Sequence, residues 1–250
     1  MTEIQNYFDA DVAAEYDDDD GHEYQPEVIA ETVGVLADLA AGGPALEFAV
    51  GTGRIALPLV ARGVPVTGIE FSADMAAQLH RKPGGTAIPV TIGNMASTRV
   101  GSEFALVYLV FNTIMNLTTQ DEQVDCFANA AAHLAPGGRF VIETMLPGLR
   151  TLPPGQRAVP FQTGPDVWAF DLYDAATQFL SSNYAYPQSG RFASVPFRYV
   201  WPGELDLMAR MAGMVLEHRW SDWSRSPFVH ESTKHVSVWR KAAVTKSTVG

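Results

Sequence analysis

Between residues 26 and 144, short apolar runs alternate along the chain with stretches in which apolar residues recur at helical spacing. The short runs predict buried strands, and the spaced stretches predict the helices that connect them. The first of these helices is predicted to begin at Pro26 and to stop before Gly42. This alternation is typical of a mostly parallel sheet with right-handed crossover connections.

After residue 145 the pattern changes to short, aromatic-rich segments with partial alternation of apolar and polar positions. Turn residues separate three of them, so each is predicted to be a strand: DVWAFDLYD, TQFLSSNYAY and FASVPFRYVW. A further helix is predicted from Pro202 through Met211, followed by two closing strands, VLEHRW and HVSVWR. The three aromatic strands are expected to form an antiparallel insertion over the face that binds ligand.

The most informative local pattern is the apolar run ALEFAV at residues 45–50, which is followed by Gly51-Thr52-Gly53. Glycine lets backbone N–H groups approach a ligand, because it has no Cβ. Seventeen residues after Gly53, a second apolar run ends at Glu70, whose carboxylate can accept both hydroxyls of a ribose. Glu47 would repel a pyrophosphate but suits an ammonium group. Taken alone, the pattern therefore leaves a dinucleotide and an ammonium-bearing nucleoside open.

The order acid–x–small–x–Gly–x–Gly at residues 47–53 resembles motif I of the class I S-adenosylmethionine (SAM)-dependent methyltransferases. Ala49 stands where that family usually has its first glycine, and Asn94 replaces the usual Asp of a later motif. The segments that resemble the later motifs, in family order, are GIEFSADM, IGNM, FALVYLVFNTIMNL and HLAPGGRFVIET. Over the cofactor half, the chain is most similar to small bacterial enzymes that include the sugar N,N-dimethyltransferases.

The resemblance implies that the closing strands are antiparallel and so completes the expected fold. The fold class is α/β, with a Rossmann-like, doubly wound, mostly parallel sheet, an antiparallel final strand and a small antiparallel β insertion as a lid. The expected parts are an acidic N-terminal lid segment (1–25), the cofactor-binding core (26–145), the β insertion over the active site (146–201), a C-terminal helix and strands that complete the core (202–241), and a disordered tail (242–250).

The resemblance also implies SAM as the cofactor, with S-adenosylhomocysteine (SAH) as the product. Glu47 is expected to face the amino group of the cofactor, Glu70 its ribose, and Asn94 the adenine amino group. For Phe71 and Asn112, ordinary packing and loop capping stay open as alternatives. The expected cofactor residues are Glu47, Ala49, Gly51, Gly53, Arg54, Glu70, Phe71, Met75, Gly93, Asn94, Met95, Phe111 and Asn112.

Methyl transfer from a sulfonium is an in-line displacement, so positioning can supply much of the barrier reduction. A base is needed only where the acceptor must lose a proton, and the candidates are His22 and His230, with His218 and His235 less favoured. No residue is assigned as catalytic, and no metal site is expected. The aromatic residues expected to line an acceptor pocket are Tyr16, Tyr24, Trp168, Tyr173 and Tyr199.

The formal charge of −11 argues against a nucleic-acid substrate, because phosphate contacts require clustered Lys and Arg. No apolar run reaches the roughly 20 residues needed to span a bilayer, and the first 25 residues are acidic rather than signal-like. The single cysteine, Cys126, excludes an internal disulfide and fits a cytoplasmic location. The expected partner is a neutral or cationic small molecule, with no nucleic acid and no membrane; a homodimer is left open.

The predicted function is therefore SAM-dependent methyl transfer to a nitrogen, oxygen or carbon atom of a small-molecule acceptor, in secondary metabolism. Two alternatives stay open. One is a protein of the same fold that binds the cofactor and catalyses a non-methylating, cyclase-like reaction. The other is an NAD(P)-dependent oxidoreductase, which Glu47 and the antiparallel ending disfavour.

Overall fold

The computed structural model describes residues 6–18, 21–101 and 103–243. Part of the acidic N-terminal run and most of the tail predicted to be disordered lie outside the described residues. The helices are α1 (Ala10–Glu15), α2 (Pro26–Ala40), α3 (Ala56–Ala61), α4 (Ala73–Arg81), α5 (Gln120–His133) and α6 (Pro202–Met211). The strands are β1 (Ala45–Phe48), β2 (Val66–Glu70), β3 (Val90–Ile92), β4 (Phe104–Leu109), β5 (Leu134–Met145), β6 (Ala158–Thr163), β7 (Trp168–Asp174), β8 (Phe179–Tyr186), β9 (Arg191–Arg198), β10 (Met214–Trp220) and β11 (Lys234–Lys241).

Seven strands form the main sheet, in the order β10-β11-β5-β4-β1-β2-β3. The five strands from β1 to β5 pair in parallel, whereas β11 pairs antiparallel with both β5 and β10. This arrangement confirms the predicted mostly parallel sheet with an antiparallel final strand. Because the parallel strands run in one direction, the loops that follow β1, β2, β3 and β4 all leave the same edge, where open α/β sheets bind ligands.

The apolar core lies on both faces of the main sheet. Alternate residues of β4 face opposite ways, so Val107 belongs to the cluster under α5 and α6, and Leu106 to the cluster under α2 and α3. Cys126 is fully buried in the first cluster, and this burial raises the pKa of its thiol well above the usual range. Cys126 therefore packs as a small buried apolar residue. None of the described helices is long and apolar enough to cross a membrane.

The second sheet, called the insertion sheet below, consists of β6, β7, β8 and β9 in sequence order, all antiparallel. The sequence pattern predicted only three of these strands and missed β6. This strand contains Pro160 and pairs with β7 alone, as expected of an edge strand, where a missing N–H can be tolerated. Five of its six residues are exposed, so it lacks the alternation that identifies a half-buried strand.

Two helices begin with side-chain caps at the carboxyl edge of the main sheet. The Ser72 hydroxyl accepts a hydrogen bond from the Met75 N–H at the start of α4, and Thr119 with Glu122 forms a capping box at the start of α5. Helix α5 ends at His133, because Leu134 is already extended and pairs with Phe104 in the sheet.

Candidate active site at the carboxyl edge of the main sheet

Two neighbouring cavities open at the carboxyl edge of the main sheet and share Ala49. The larger measures about 590 Å³, within the usual range for ligand pockets. Its lining residues are Asn6, Tyr7, Phe8, Ala49, Ile69, Glu70, Phe71, Gly93, Asn94, Met95, Asn116, Leu117, Thr118, Thr119, Glu122 and Pro196. The smaller measures about 40 Å³ and is lined by Tyr16, Glu47, Ala49, Val50, Gly51, Thr52, Arg54, Ile55, Val110, Phe111 and Thr113.

Glu47 is a buried carboxyl group on β1 that borders the smaller cavity and is only 3% exposed. Burial raises its pKa to about 8, although a hydrogen bond from the Tyr108 hydroxyl at 2.8 Å opposes the shift. The nearby Arg54 guanidinium instead donates to the Glu23 carbonyl oxygen at 2.5 Å and lies 4.8 Å from the Tyr24 ring centre. A buried acid of this kind fits an ammonium group, because a cation at this point would stabilise its ionised form.

Glu70, at the end of β2, lines the larger cavity and organises the turn between the two cavities. One carboxylate oxygen accepts from the Gly51 N–H and the other from the Ser72 N–H, both at 2.8 Å. Burial raises the pKa of Glu70, and these backbone donors oppose the shift. Each carboxylate oxygen has a second lone pair, so Glu70 can still accept from hydroxyl groups of a ligand.

The glycine turn has different requirements at each of its positions. Gly51 and Ala49 both have a φ of 54°, a left-handed conformation that favours glycine and costs other residues about 1–3 kcal/mol. This explains why a glycine is expected at position 49. Gly53 lines neither cavity; a Cβ there would lie 2.2 Å from Leu79 Cδ1, so this glycine is needed for packing against α4.

The loop after β3 and the residue after β2 form another wall of the larger cavity. The Asn94 side-chain oxygen accepts from the Ala96 N–H at 2.8 Å, which orders the loop, and its second lone pair can still accept from an amino group of a ligand. Phe71 is 40% exposed at the cavity wall, so its ring is available for contact with a ligand. The predicted adenine contacts of Phe71, Asn94 and Met95 therefore lie together on one cavity.

A strained turn follows β4, where Phe111 and Asn112 have φ angles of 52° and 59°. Glu143 holds this turn, because its carboxylate accepts from the Phe111 N–H at 3.1 Å. The Asn112 side-chain oxygen accepts from the Met145 N–H at 2.7 Å. Of the two alternatives for Asn112, the structure shows loop capping. Phe111 lines the smaller cavity, and its ring centre lies 5.5 Å from the Arg54 guanidinium.

The N-terminal segment (residues 6–18) lies against both cavities. Asp17 accepts a hydrogen bond from the Thr52 hydroxyl at 2.7 Å and pairs with Lys82 Nζ at 2.6 Å. The Ser72 hydroxyl donates to the Phe8 carbonyl oxygen. These contacts join the N-terminal segment to the glycine turn and to α4.

None of the four histidines predicted as candidate bases lines either cavity. His22 and His230 are exposed, and His218 stacks on Trp220 with ring centres 4.9 Å apart. His235 is fully buried, and this burial lowers its pKa to about 3, so it is neutral at physiological pH.

Four further predicted site residues are placed elsewhere. Met75 is buried in α4, where it packs beneath the glycine turn. Trp168 is 59% exposed on β7, because it lies at the far end of the insertion sheet. Tyr173 is buried, and its hydroxyl accepts from the Gly148 N–H, while Tyr199 packs on Tyr173 with ring centres 5.6 Å apart.

Of the predicted aromatic pocket residues, Tyr16 lines the smaller cavity and Tyr24 packs on both Tyr16 and Arg54.

Several residues of the site were not predicted from the sequence. Tyr108 lies beside Glu47 because β1 and β4 pair in that register, which no local pattern shows. Glu143 had a usable signal, since it is an acidic residue inside the apolar run of β5. The rest of the lining of the larger cavity, which includes Asn6, Asn116 and Pro196, is assembled from segments far apart in the chain.

Comparison with known proteins places this geometry in context. A sequence profile described as "Methyltransferase domain" matches residues 45–138. The structure of the CcbJ methyltransferase from Streptomyces caelestis has a TM-score of 0.81, with 35% identity over 93% of this chain and 96% of that one. The SAM-bound structure of CalS10, an amino pentose methyltransferase from Micromonospora echinaspora, has a TM-score of 0.60 over 94% of this chain and 99% of that one. At 22% identity, it shows a shared fold only.

A curated relative is the dTDP-3-amino-3,4,6-trideoxy-alpha-D-glucopyranose N,N-dimethyltransferase from Streptomyces venezuelae. The two proteins are 31% identical over 99 residues, which is 39% of this chain and 40% of that enzyme. The match therefore spans less than half of the curated relative.

The likeness to the CcbJ methyltransferase extends over nearly the whole chain, and the matched profile includes the glycine turn, Glu70 and Asn94. The site also fits SAM on its own geometry. A buried acid that forms no ion pair with another described residue faces the smaller cavity, and an ordered carboxylate faces the larger one. These findings favour SAM over a nicotinamide dinucleotide as the cofactor. The chain belongs to the class I SAM-dependent methyltransferases.

Proposed function

We propose that this methyltransferase acts on an amine nitrogen of a hydroxylated small molecule of the amino-sugar type. The observation that supports this best is the lining of the larger cavity beyond the predicted adenosine contacts. The side chains there are mostly neutral amides and hydroxyls: Asn6, Tyr7, Asn116, Thr118 and Thr119. Such groups both donate and accept hydrogen bonds, as sugar hydroxyls require. The Streptomyces venezuelae relative, which is named for an amino sugar, supports the same class.

The residues of the two cavities have distinct roles in this proposal. Glu47, which the Tyr108 hydroxyl holds in place, binds the amino group of SAM, Glu70 binds its ribose, and Asn94 with Met95 binds the adenine. When bound, SAM supplies a methyl group on a positively charged sulfur. An unprotonated amine already has the lone pair that this transfer requires, so the protein needs to position it and exclude water. Among the described residues, no histidine lines either cavity, which suits an amine better than a hydroxyl acceptor.

We also infer that the segments 1–25 and 146–201 act as lids over the core formed by residues 26–145 and 202–241. Two observations support this role. Asp17 joins the N-terminal segment to the glycine turn through Thr52 and Lys82, and Pro196 of the insertion sheet lines the larger cavity. A lid made from these segments would enclose the acceptor next to the cofactor.

A homodimer and a cytoplasmic location stay predictions. Trp168 and Phe192 are each 59% exposed and lie on either side of Ala185 in the insertion sheet. A dimer interface on this surface would cover both rings, which supports the homodimer. Light scattering of the purified protein would give its mass in solution.

The proposed function is tested in two steps. Calorimetry with SAH and with NADH should give micromolar binding of SAH and no binding of NADH. Radiolabelled SAM with a panel of amino sugars and phenols should then label amines and leave phenols unlabelled. Labelling of phenols alone would contradict amine methylation. Tight SAH binding without labelling of any acceptor would favour the non-methylating alternative.

A further inference from the structure

Glu122 is a carboxylate on the acceptor side of the larger cavity. It is half-buried in the first turn of α5, next to the insertion sheet, since the neighbouring Gln123 side chain donates to the Arg198 carbonyl oxygen at 3.0 Å. Its Oε2 atom accepts from the Thr119 N–H at 3.1 Å and from the Thr119 hydroxyl at 2.9 Å. Among the described residues, Oε1 has no hydrogen-bond donor, so this oxygen is available to a ligand.

The start of α5 is not an anion site, although helix N-termini often bind anions. The capping box satisfies backbone N–H groups within the first turn, because the Glu122 N–H donates to the Thr119 hydroxyl at 3.2 Å. Asp121 and Glu122 also place two negative charges in this turn, and these oppose the positive end of the helix dipole. This side of the cavity therefore favours cations and N–H donors.

Positive charge is scarce around the site. Among the described residues that line the two cavities, Arg54 is the single Lys, Arg or His, and it belongs to the smaller cavity. The nearby Arg198 is 5% exposed and is bound to Gln123, Gln178 and Glu204. A diphosphate in the larger cavity would lose its hydrating water molecules, and no basic side chain would replace them as a partner for its charge.

We propose, on the basis of the amine methylation proposed above, that the acceptor carries no phosphate and that Glu122 selects it by accepting an amine N–H on Oε1. The acceptor class is then a free or glycosidically linked amino sugar, or a similar hydroxylated amine. It differs from the dTDP-linked sugar in the name of the Streptomyces venezuelae relative. Glu122 is thus a specificity-determining residue in the same cavity as the predicted ribose contact, Glu70.

The first experiment compares Glu122→Gln with Asp121→Asn. Glutamine at position 122 can still close the capping box, so the variant removes the charge and keeps the helix start. Asp121 is exposed, lies in the same turn and does not line the cavity, so its variant is a matched control for net charge. We expect Glu122→Gln to raise the KM for an amine acceptor by about three- to tenfold, with SAH affinity and kcat unchanged. Asp121→Asn should leave SAH affinity and kcat unchanged and change the KM by less than about twofold, because its exposed side chain lies outside the cavity.

An unchanged KM in Glu122→Gln, or an equal rise in both variants, would overturn the assignment of Glu122. A loss of SAH affinity in Glu122→Gln alone would also overturn it, because the carboxylate would then face the cofactor.

The second experiment uses the wild-type protein with 3-amino-3,4,6-trideoxyglucose and with the dTDP-linked form of the same sugar. We expect kcat/KM to be at least about tenfold higher for the free sugar, since only the linked form brings a diphosphate to this acidic cavity. Equal or better turnover of the linked form would overturn the phosphate-free class and leave amine methylation intact. Labelling of phenols without labelling of any amine would overturn both proposals.

Discussion

The end of the site proposed to bind the cofactor takes its side chains from buried strands, whereas the end proposed to bind the acceptor takes them from segments far apart in the chain. These are called the cofactor end and the acceptor end below. At the cofactor end, Glu47 and Glu70 are buried and each is fixed by a hydrogen bond from a protein donor at 2.8 Å. At the acceptor end, Asn6, Asn116 and Thr118 are exposed and belong to the N-terminal segment and to the loop before α5.

This contrast separates the binding of a cofactor that the whole family uses from the binding of an acceptor that is particular to one member. Strand ends in a packed sheet hold polar groups in one place, which suits a cofactor common to all members. Loops and added sheets vary more easily, because few buried contacts depend on them. We therefore expect changes at the cofactor end to have large effects on SAH binding, and changes at the acceptor end to affect mainly acceptor turnover and lid opening.

The largest effect is expected for Glu47→Gln. This variant cannot pair with an ammonium group, so SAH affinity should fall by about 30- to 150-fold, or roughly 2–3 kcal/mol. The unfolding free energy of the ligand-free protein should change little, because glutamine resembles the neutral acid that the raised pKa of Glu47 favours. Calorimetry with SAH and chemical denaturation measure the two quantities. Unchanged SAH binding would remove Glu47 from the cofactor site.

Glu70→Ala should lower SAH affinity by about 1–3 kcal/mol and also destabilise the ligand-free protein by a similar amount. The second effect arises because the Gly51 and Ser72 N–H groups lose their acceptor. Asp74→Ala is the matched control, since Asp74 is an exposed acidic residue in the first turn of α4, the helix that follows Glu70. A loss of stability with full SAH affinity would mean that Glu70 orders the turn without binding the ribose.

The pH dependence of SAH binding should report on the cofactor end alone. Because the folded pKa of Glu47 is about 8, the ligand-free protein carries a protonated Glu47 below that pH, and binding an ammonium group must release this proton. SAH affinity should therefore fall by up to about tenfold for each pH unit from 8 down to 6. The same raised pKa means that this group's contribution to folding stability decreases as the pH rises from 4.5 through 8.

Glu47→Gln provides the test of this assignment, because its binding curve should be flat over the same pH range. A wild-type affinity that does not change with pH would show that Glu47 is already ionised in the ligand-free protein.

Smaller effects are expected at the N-terminal segment. Asp17→Asn should destabilise the protein by less than about 1 kcal/mol, because its ion pair with Lys82 is partly exposed. Proteolysis should become faster within residues 1–25, and SAH should slow it in both proteins. Asp11→Asn, on the exposed part of α1, is the control. Cutting that SAH leaves unchanged would count against a lid role for this segment.

The smallest effects are expected for His22→Ala and His230→Ala. Both side chains are exposed and lie outside the two cavities, so acceptor turnover should change by less than about twofold. Steady-state kinetics with an amine acceptor provides the measurement. A loss of about 10⁴-fold at either position would identify that histidine as a base and would favour a hydroxyl acceptor.

The order of the core elements could be predicted because each has a local signal. The glycine turn, the acid that ends β2 and the capping box of α5 are all visible as short patterns. Edge strand β6 could not be predicted, since it is mostly exposed and contains Pro160. Trp168 and Tyr173 were predicted near the acceptor because aromatic residues often line pockets, yet Trp168 lies at the end of its sheet and Tyr173 is buried beneath it.

The sequence by itself determined the fold, the family and the cofactor, because these depend on periodicity and on motifs within a few residues. Tertiary structure alone decided which partners the polar groups have. Strand register places Tyr108 beside Glu47. The packing of the N-terminal segment, α5 and the insertion sheet brings Asn6, Glu122 and Pro196 to one cavity. Burial, which depends on the whole packed sheet, shifts the pKa of Glu47, so the electrostatics of the site could not be predicted from any one segment of the chain.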